Sequence, residues 1–269
     1  MEKLIITVAP TGSVPKKKDN PHVPVTPQEV IECALACEEK GASILHIHAR
    51  DAQENPSDDP AFFQEVVEGL RGRSRLILQV STGGRAGSNL ESRMKRLQVK
   101  PEMASLTTGS VNFPKSVYMN PPELIEGLAQ EMLRLGIKPE MEIFDLSMIY
   151  NAVALLKKGL AREPLHFNFV MGLKGAVPAT IDHLVYMRRC LPEGSTWTVS
   201  GIAASQLSMA LHAILMGGHV RVGLEDNLLL RKGELATNQA LVERVAGWSR
   251  QLGREVASPD EARAILGLG

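Results

Sequence analysis

His219-Val220-Arg221-Val222-Gly223-Leu224-Glu225 (HVRVGLE) is the eighth short, β-branched apolar run in the chain, and the count decides the fold. The seven before it are LIITVA (4–9), SILHIHA (43–49), RLILQVS (75–81), MASLTT (103–108), EMEIFD (140–145), HFNFVM (166–171) and TWTVSGI (196–202). Helical segments separate them. Thr26-Pro27-Gln28-Glu29 offers an N-cap threonine, a proline at the first helical position and a glutamate that can close a capping box. Asn120-Pro121-Pro122-Glu123 and Ser258-Pro259-Asp260-Glu261 repeat that signal, and Phe63, Val66, Val67 and Leu70 keep the spacing of one apolar helix stripe. Strand alternating with helix means parallel strands joined by crossover helices. Eight such units in 269 residues predict a closed (β/α)8 TIM barrel, a single domain spanning residues 1–269.

An open doubly wound sheet is the alternative. The turn after the first strand, Pro10-Thr11-Gly12-Ser13, lacks its dinucleotide fingerprint, and Gly83-Gly84-Arg85-Ala86-Gly87 after the third has the wrong spacing. Lys plus Arg and Asp plus Glu both number 30, so no net charge draws the chain to nucleic acid or to an anionic membrane. No apolar run approaches the roughly 20 residues of a membrane span, and the N-terminus does not read as a signal peptide. Cys33, Cys37 and Cys190 include no C-x-x-C pair; the first two fall one helical turn apart and read as reduced core thiols. The expectation is a cytoplasmic protein with a small-molecule partner.

In a barrel, chemistry collects where strands end and their following loops begin. His46 and His48 end the second strand and share one face, because alternate residues of a strand point the same way. Ser81 and Thr82 end the third, and Ser105, Thr107 and Thr108 the fourth. Glu142 and Asp145 lie along the fifth. On the eighth, alternation turns Arg221, Gly223 and Glu225 inward and Val220, Val222 and Leu224 outward. A buried glutamate costs several kcal/mol unless paired or metal-bound. The first and eighth strands close the barrel beside the second, so Glu225 can meet His46 and His48 in a two-histidine, one-carboxylate set. Such a set suits catalytic zinc and also non-haem iron. The plain alternatives are an Arg221–Glu225 salt bridge, an N-cap role for Asp226, strand-end capping by Ser81 and Ser105, and a solvated loop for Lys16-Lys17-Lys18. His166 reads as structural, and His22, His183, His212 and His219 have no evident partner.

HIHARD, QVSTGG (79–84), PEMASLTTGSVNF (101–113), PLHFNFVMG (164–172), GGHVRVGLEDN (217–227) and VASPDEARAILGL (256–268) resemble the β-keto acid cleavage enzymes, typified by 3-keto-5-aminohexanoate cleavage enzyme. The likeness runs from the first strand to the C-terminus. It implies a TIM barrel with a zinc ion in each subunit, a homotetramer, and a Claisen-type exchange in which a β-keto acid and acetyl-CoA give acetoacetate and a new acyl-CoA. It implies zinc ligation by His46, His48 and Glu225, proton abstraction by Asp226 with help from Arg221, and a further acidic site residue in Glu142. Ser81, Gly83, Gly84 and Ser105, with Thr107 beside them, would hold the substrate carboxylate, and Asn227 would orient its neighbours. The first loop departs from the pattern: where the amino-acid-derived member has a glutamate for the substrate amine, this chain has Val14. Valine cannot pair with an ammonium, so the expected substrate lacks a 5-amino group and has a neutral or acidic tail. Metal-dependent aldolases and hydrolases on the same fold are the competing enzymes. The hydrolases carry further histidines where this chain has Phe144-Asp145 and Met171-Gly172.

Overall fold

The computed structural model describes residues 2–84 and 88–268, so Arg85, Ala86 and Gly87 of the glycine-rich turn lie outside the described residues. Eight parallel strands close into a barrel: β1 (Ile6–Val8), β2 (Ile44–Ile47), β3 (Ile77–Val80), β4 (Met103–Thr107), β5 (Lys138–Ile143), β6 (His166–Met171), β7 (Thr196–Gly201) and β8 (His219–Val222). Around the closed sheet each strand neighbours the next in sequence, and β1 pairs with both β2 and β8. Crossovers are carried by α1 (Pro27–Lys40), α2 (Pro60–Leu70), α3 (Leu90–Lys95), α4 (Pro122–Leu135), α5 (Leu146–Lys157), α6 (Ile181–Arg189) and α7 (Gln206–Met216). Helices α8 (Asn238–Gln251) and α9 (Pro259–Leu266) complete the chain.

Capping chemistry set two helix starts as expected. Thr26 and Ser258 each accept from the backbone of the third helical residue, while Glu29 and Glu261 reach back to close the box. The third start differs, because α4 is entered through Pro121 with no side-chain cap. Asn120 is buried instead, and its Oδ1 accepts from Arg93 at 2.6 Å. Cys33 and Cys37 are buried on α1 with their sulfurs 4.0 Å apart.

Two apolar regions follow from the alternation of the strands. Outward residues such as Val8, Leu45, Val80, Leu106, Ile143 and Val222 pack under the helices. Inward residues at the strand starts, Ile5, Ile44, Ile77 and Met103, form a separate plug with Ala257, Ala262 and Leu266, so α9 seals the N-terminal end. Above the plug the interior is polar. Fully buried Glu140 accepts from Asn168 Nδ2 at 3.1 Å and stands 3.4 Å from His166 Nε2, while Ser200 donates to Asn168 Oδ1 at 2.8 Å. His219, unassigned from sequence, accepts the Ile5 N–H on Nδ1 at 3.1 Å. With one end plugged, only the C-terminal mouth is left for chemistry. Among the described residues no helix is long and apolar enough to cross a membrane.

Candidate active site

His46 ends β2 inside the barrel and His48 follows just beyond it, their ring centroids 5.1 Å apart. Glu225 reaches them by a route that strand alternation does not describe. The eighth strand stops at Val222, short of the predicted Glu225 end, and a turn follows in which Asp226 and Asn227 donate their N–H groups to Gly223 O. Gly223 has φ +147, and a Cβ there would collide with the carbonyl of Ala9, so glycine is required for this close approach to β1. Alternation would have sent Asp226 to the opposite face from Glu225. The turn instead brings both carboxylates to Arg221.

The ligand atoms of His46, His48 and Glu225 all lie within 4.8 Å of one another. His46 Nε2 is 3.8 Å from Glu225 Oε2, and His48 Nε2 is 3.3 Å from Oε1. His46 Nε2 and Glu225 Oε2 are both buried without a hydrogen-bond partner. Burial, reinforced by the nearby Arg221 cation, lowers the His46 pKa and keeps the ring neutral. Burial alone would raise Glu225, but the Arg221 cation beside it holds it well below the ordinary carboxylate range. Two imidazoles, an ionised carboxylate and two orphaned donor atoms fit a divalent cation.

Arg221 is the hub of the remaining charge. Its Nε and NH2 grip Asp226 at 2.9 and 3.0 Å in a bidentate fork, NH2 also donates to Glu225 Oε1 at 2.6 Å, and NH1 lies 3.9 Å from Glu142 Oε1. The Arg221–Glu225 bridge therefore coexists with the histidine cluster, and Asp226 is bound to arginine rather than serving as a helix cap. Burial raises the Asp226 pKa against the pull of Arg221, and burial likewise raises Glu142. Thr107 donates to Glu142 Oε2 at 2.6 Å and lies 3.1 Å from the Tyr118 hydroxyl, which also stands over Gly83.

Ser81 and Gly83 form a tight turn, the Gly83 N–H donating to Ser81 Oγ at 3.2 Å. Behind it Arg96 donates to the carbonyls of Ser81 and Gly83 at 2.9 and 2.7 Å and pairs with Asp58. Arg93 lies against Gly84 and under the Tyr118 ring, 5.6 Å from its centroid. Ser105 is deeper and wholly buried, accepting the Thr82 N–H at 3.3 Å, so Thr107 is the fourth-strand hydroxyl beside Glu142. Asn227 ties down the following segment through Leu229, and Asp145, expected on the fifth strand, caps α5.

Val14 is 70% exposed on the first loop. Arg50 anchors that loop by donating to Gly12 O at 2.7 Å and Pro15 O at 2.8 Å, and it also bonds the carbonyl of Glu54. Of the triple lysine, Lys16 reaches Gln53 O and Asn55 Oδ1, Lys17 pairs with Glu29, and Lys18 is exposed.

Sequence reasoning passed over Gln79, Arg50, Arg93, Arg96 and Tyr118. Gln79 was findable: the alternation that paired His46 with His48 also sets Gln79 on the face of Ser81, and a buried amide inside an apolar strand is unusual. Tyr118 had no local signal, since it comes from a small antiparallel ladder, residues 111–118, outside the barrel count.

A closed parallel barrel with a buried His-His-Glu cluster and an Arg–Asp fork at its C-terminal mouth belongs to the class of α/β-barrel enzymes whose sites can hold a metal. Within that class the chain belongs to the β-keto acid cleavage enzyme family, whose sequence profile matches residues 3–268. It is 49% identical to the 3-oxoadipate:acetyl-CoA acetyltransferase of Cupriavidus necator, covering 98% of this chain and 94% of that protein. It is 43% identical to the 3-keto-5-aminohexanoate cleavage enzyme of Fusobacterium nucleatum, over 100% of this chain and 99% of that one. Among solved structures the apo form of ObcA superposes with a TM-score of 0.81 at 20% identity, covering 93% of this chain and 66% of that chain, a likeness of fold.

Proposed function

We propose that this enzyme exchanges acyl groups between a β-keto acid and acetyl-CoA, with a zinc ion held by His46, His48 and Glu225, and that its substrate carries a distal carboxylate rather than a 5-amino group. The observation that carries the reading is the pair of orphaned, buried donor atoms, His46 Nε2 and Glu225 Oε2, set beside a fork-bound aspartate. The relative named for 3-oxoadipate supports the acidic tail, and Val14 supports the missing amine.

Held by His46, His48 and Glu225, a zinc ion would supply Lewis-acid polarisation of the β-keto acid, which would lower the pKa of its C2 proton. The chain's own residues do the rest. Asp226 takes the C2 proton on an oxygen lone pair that the Arg221 fork leaves free, and its burial makes it a stronger base than an exposed aspartate. Arg221 fixes the approach of that carboxylate. The C2 carbanion attacks the acetyl thioester carbon and expels CoA thiolate. The thiolate then adds to the original C3 ketone, the C2–C3 bond breaks with its electrons left on C2, C2 takes back the proton held by Asp226, and acetoacetate departs from the new acyl-CoA. Ser81, Gly83, Gly84 and Thr107 hold the substrate carboxylate, with Ser105 beneath them supporting the Thr82 backbone, Glu142 adds the neighbouring carboxyl, and Val14 faces the tail. A cytosolic homotetramer belongs to the same reading, on the family resemblance.

The test is a panel of β-keto acids incubated with acetyl-CoA and scored for acetoacetate, beside metal analysis of the wild type and Glu225→Ala. Acetoacetate that forms only with acetyl-CoA separates this reading from a metal-dependent aldolase or hydrolase. Full zinc retention by Glu225→Ala would remove Glu225 from the ligand set.

A further inference from the structure

Gln79 sits directly opposite His46 in the register of β2 against β3, and both side chains point into the barrel. Neither is accessible: Gln79 is 0% exposed and His46 1%. The Gln79 amide oxygen lies 2.6 Å from His46 Nδ1. An amide oxygen only accepts, so Nδ1 must carry the proton, and a neutral imidazole with its proton on Nδ1 has a lone pair on Nε2. That Nε2 is the buried atom without a partner, aimed at the cluster with Glu225 and His48. The Gln79 amide nitrogen is itself unpartnered, so the side chain serves no wider polar network of its own.

We propose that Gln79 is a positioning residue that fixes His46 in the tautomer able to ligate a metal through Nε2, and that it does so without adding charge. The inference rests on the metal reading given above. A partner to the far nitrogen of a ligating histidine is commonly a carboxylate, a carbonyl or water, and a carboxylate makes the ring a stronger donor. Glu142, Glu225 and Asp226 already crowd Arg221 with negative charge. An amide at 79 orients the ring while leaving the metal's electron demand to be met by substrate oxygens. Gln79→Met removes the acceptor at similar volume, whereas Gln79→Glu keeps an acceptor and adds the charge.

Two measurements on the purified protein test this. The first is the zinc dissociation constant by competition with a chromophoric chelator, for wild type, Gln79→Met and Gln79→Glu, with the circular dichroism of each. The second is 15N–1H NMR of metal-free, 15N-histidine-labelled wild type, with the His46 signal assigned through His46→Gln. We expect Nδ1 protonated and Nε2 bare in the wild type, zinc affinity lowered 10- to 100-fold in Gln79→Met at unchanged secondary structure, and affinity restored in Gln79→Glu with a lower kcat. Equal zinc affinity in wild type and Gln79→Met, or a proton on His46 Nε2 in the metal-free wild type, overturns the role of Gln79. Wild type that binds no zinc while showing the bare Nε2 overturns the metal reading instead. The NMR arm needs no variant at position 79 to fold.

Discussion

Gly12 and Glu225 lie at opposite ends of the sequence, yet a Cβ on Gly12 would occupy the space of the Glu225 side chain. Gly12 also has φ +63, a left-handed backbone that costs another residue about 1–2 kcal/mol. The first loop therefore braces the carboxylate of the histidine cluster. Gly12→Ala is expected to lose stability by about that amount and to shift Glu225, with zinc occupancy and activity falling together. Denaturant unfolding and metal analysis check it. A variant with wild-type zinc content and turnover would show that the contact braces nothing.

Asp226→Asn keeps the shape of the side chain but removes its basicity, and Arg221 retains Glu225 as a partner. Loss of a positioned general base lowers kcat by about 10²- to 10⁴-fold. Deuterium exchange at C2 of the β-keto acid in D2O, followed by NMR without acetyl-CoA, should vanish with it. Zinc content should not change. Exchange persisting at the wild-type rate would place the base elsewhere.

Glu140 contributes to acid stability. Its burial alone would raise the carboxyl pKa, but His166 outweighs it and sets Glu140 at about 2 against an ordinary 4.5. Between those values the unfolded chain binds the extra proton, so stability rises with pH there. The contribution is complete above about pH 4.5 and is lost as the pH falls toward 2. Glu140→Gln is expected to flatten that part of the stability profile, measured by urea unfolding from pH 5 downward. Parallel profiles for variant and wild type would contradict the pairing.

Val14 tests substrate choice. Its loop is pinned on either side, at Gly12 and Pro15, by Arg50, so a new side chain at 14 changes the tail environment without freeing the loop. Val14→Glu is expected to raise kcat/KM for a 5-amino β-keto acid and to lower it for one ending in carboxylate, through attraction in one case and repulsion in the other. An unchanged ratio of the two would separate Val14 from the tail.

Much of this site is legible in the sequence alone. The period-2 alternation of SILHIHA set His46 and His48 on one face, and the count of eight runs set that face inside a closed barrel. Less was legible where the chain leaves regular structure. Alternation places Glu225 on a strand face, but Gly223 ends β8 early, and a turn carries both Glu225 and Asp226 to Arg221. Asn120 had the sequence of a helix cap, yet Arg93 claimed its side chain. Local patterns report the preference of a segment and carry no information about which distant side chain arrives to compete for it.

By itself the sequence determined the alternating strand–helix architecture, the capping boxes at Thr26 and Ser258, the residues that meet as the histidine–glutamate cluster, and the family. These depend on period, spacing and motif, which are local or cumulative along the chain. Only the tertiary structure decided that Arg221 forks Asp226, that Gln79 faces His46, that Gly12 packs on Glu225 and that Tyr118 reaches Thr107. Barrel closure brings together residues 213 positions apart, as from Gly12 to Glu225. Which atoms then pair is fixed by strand register and turn geometry, and both are properties of the closed sheet rather than of any one strand.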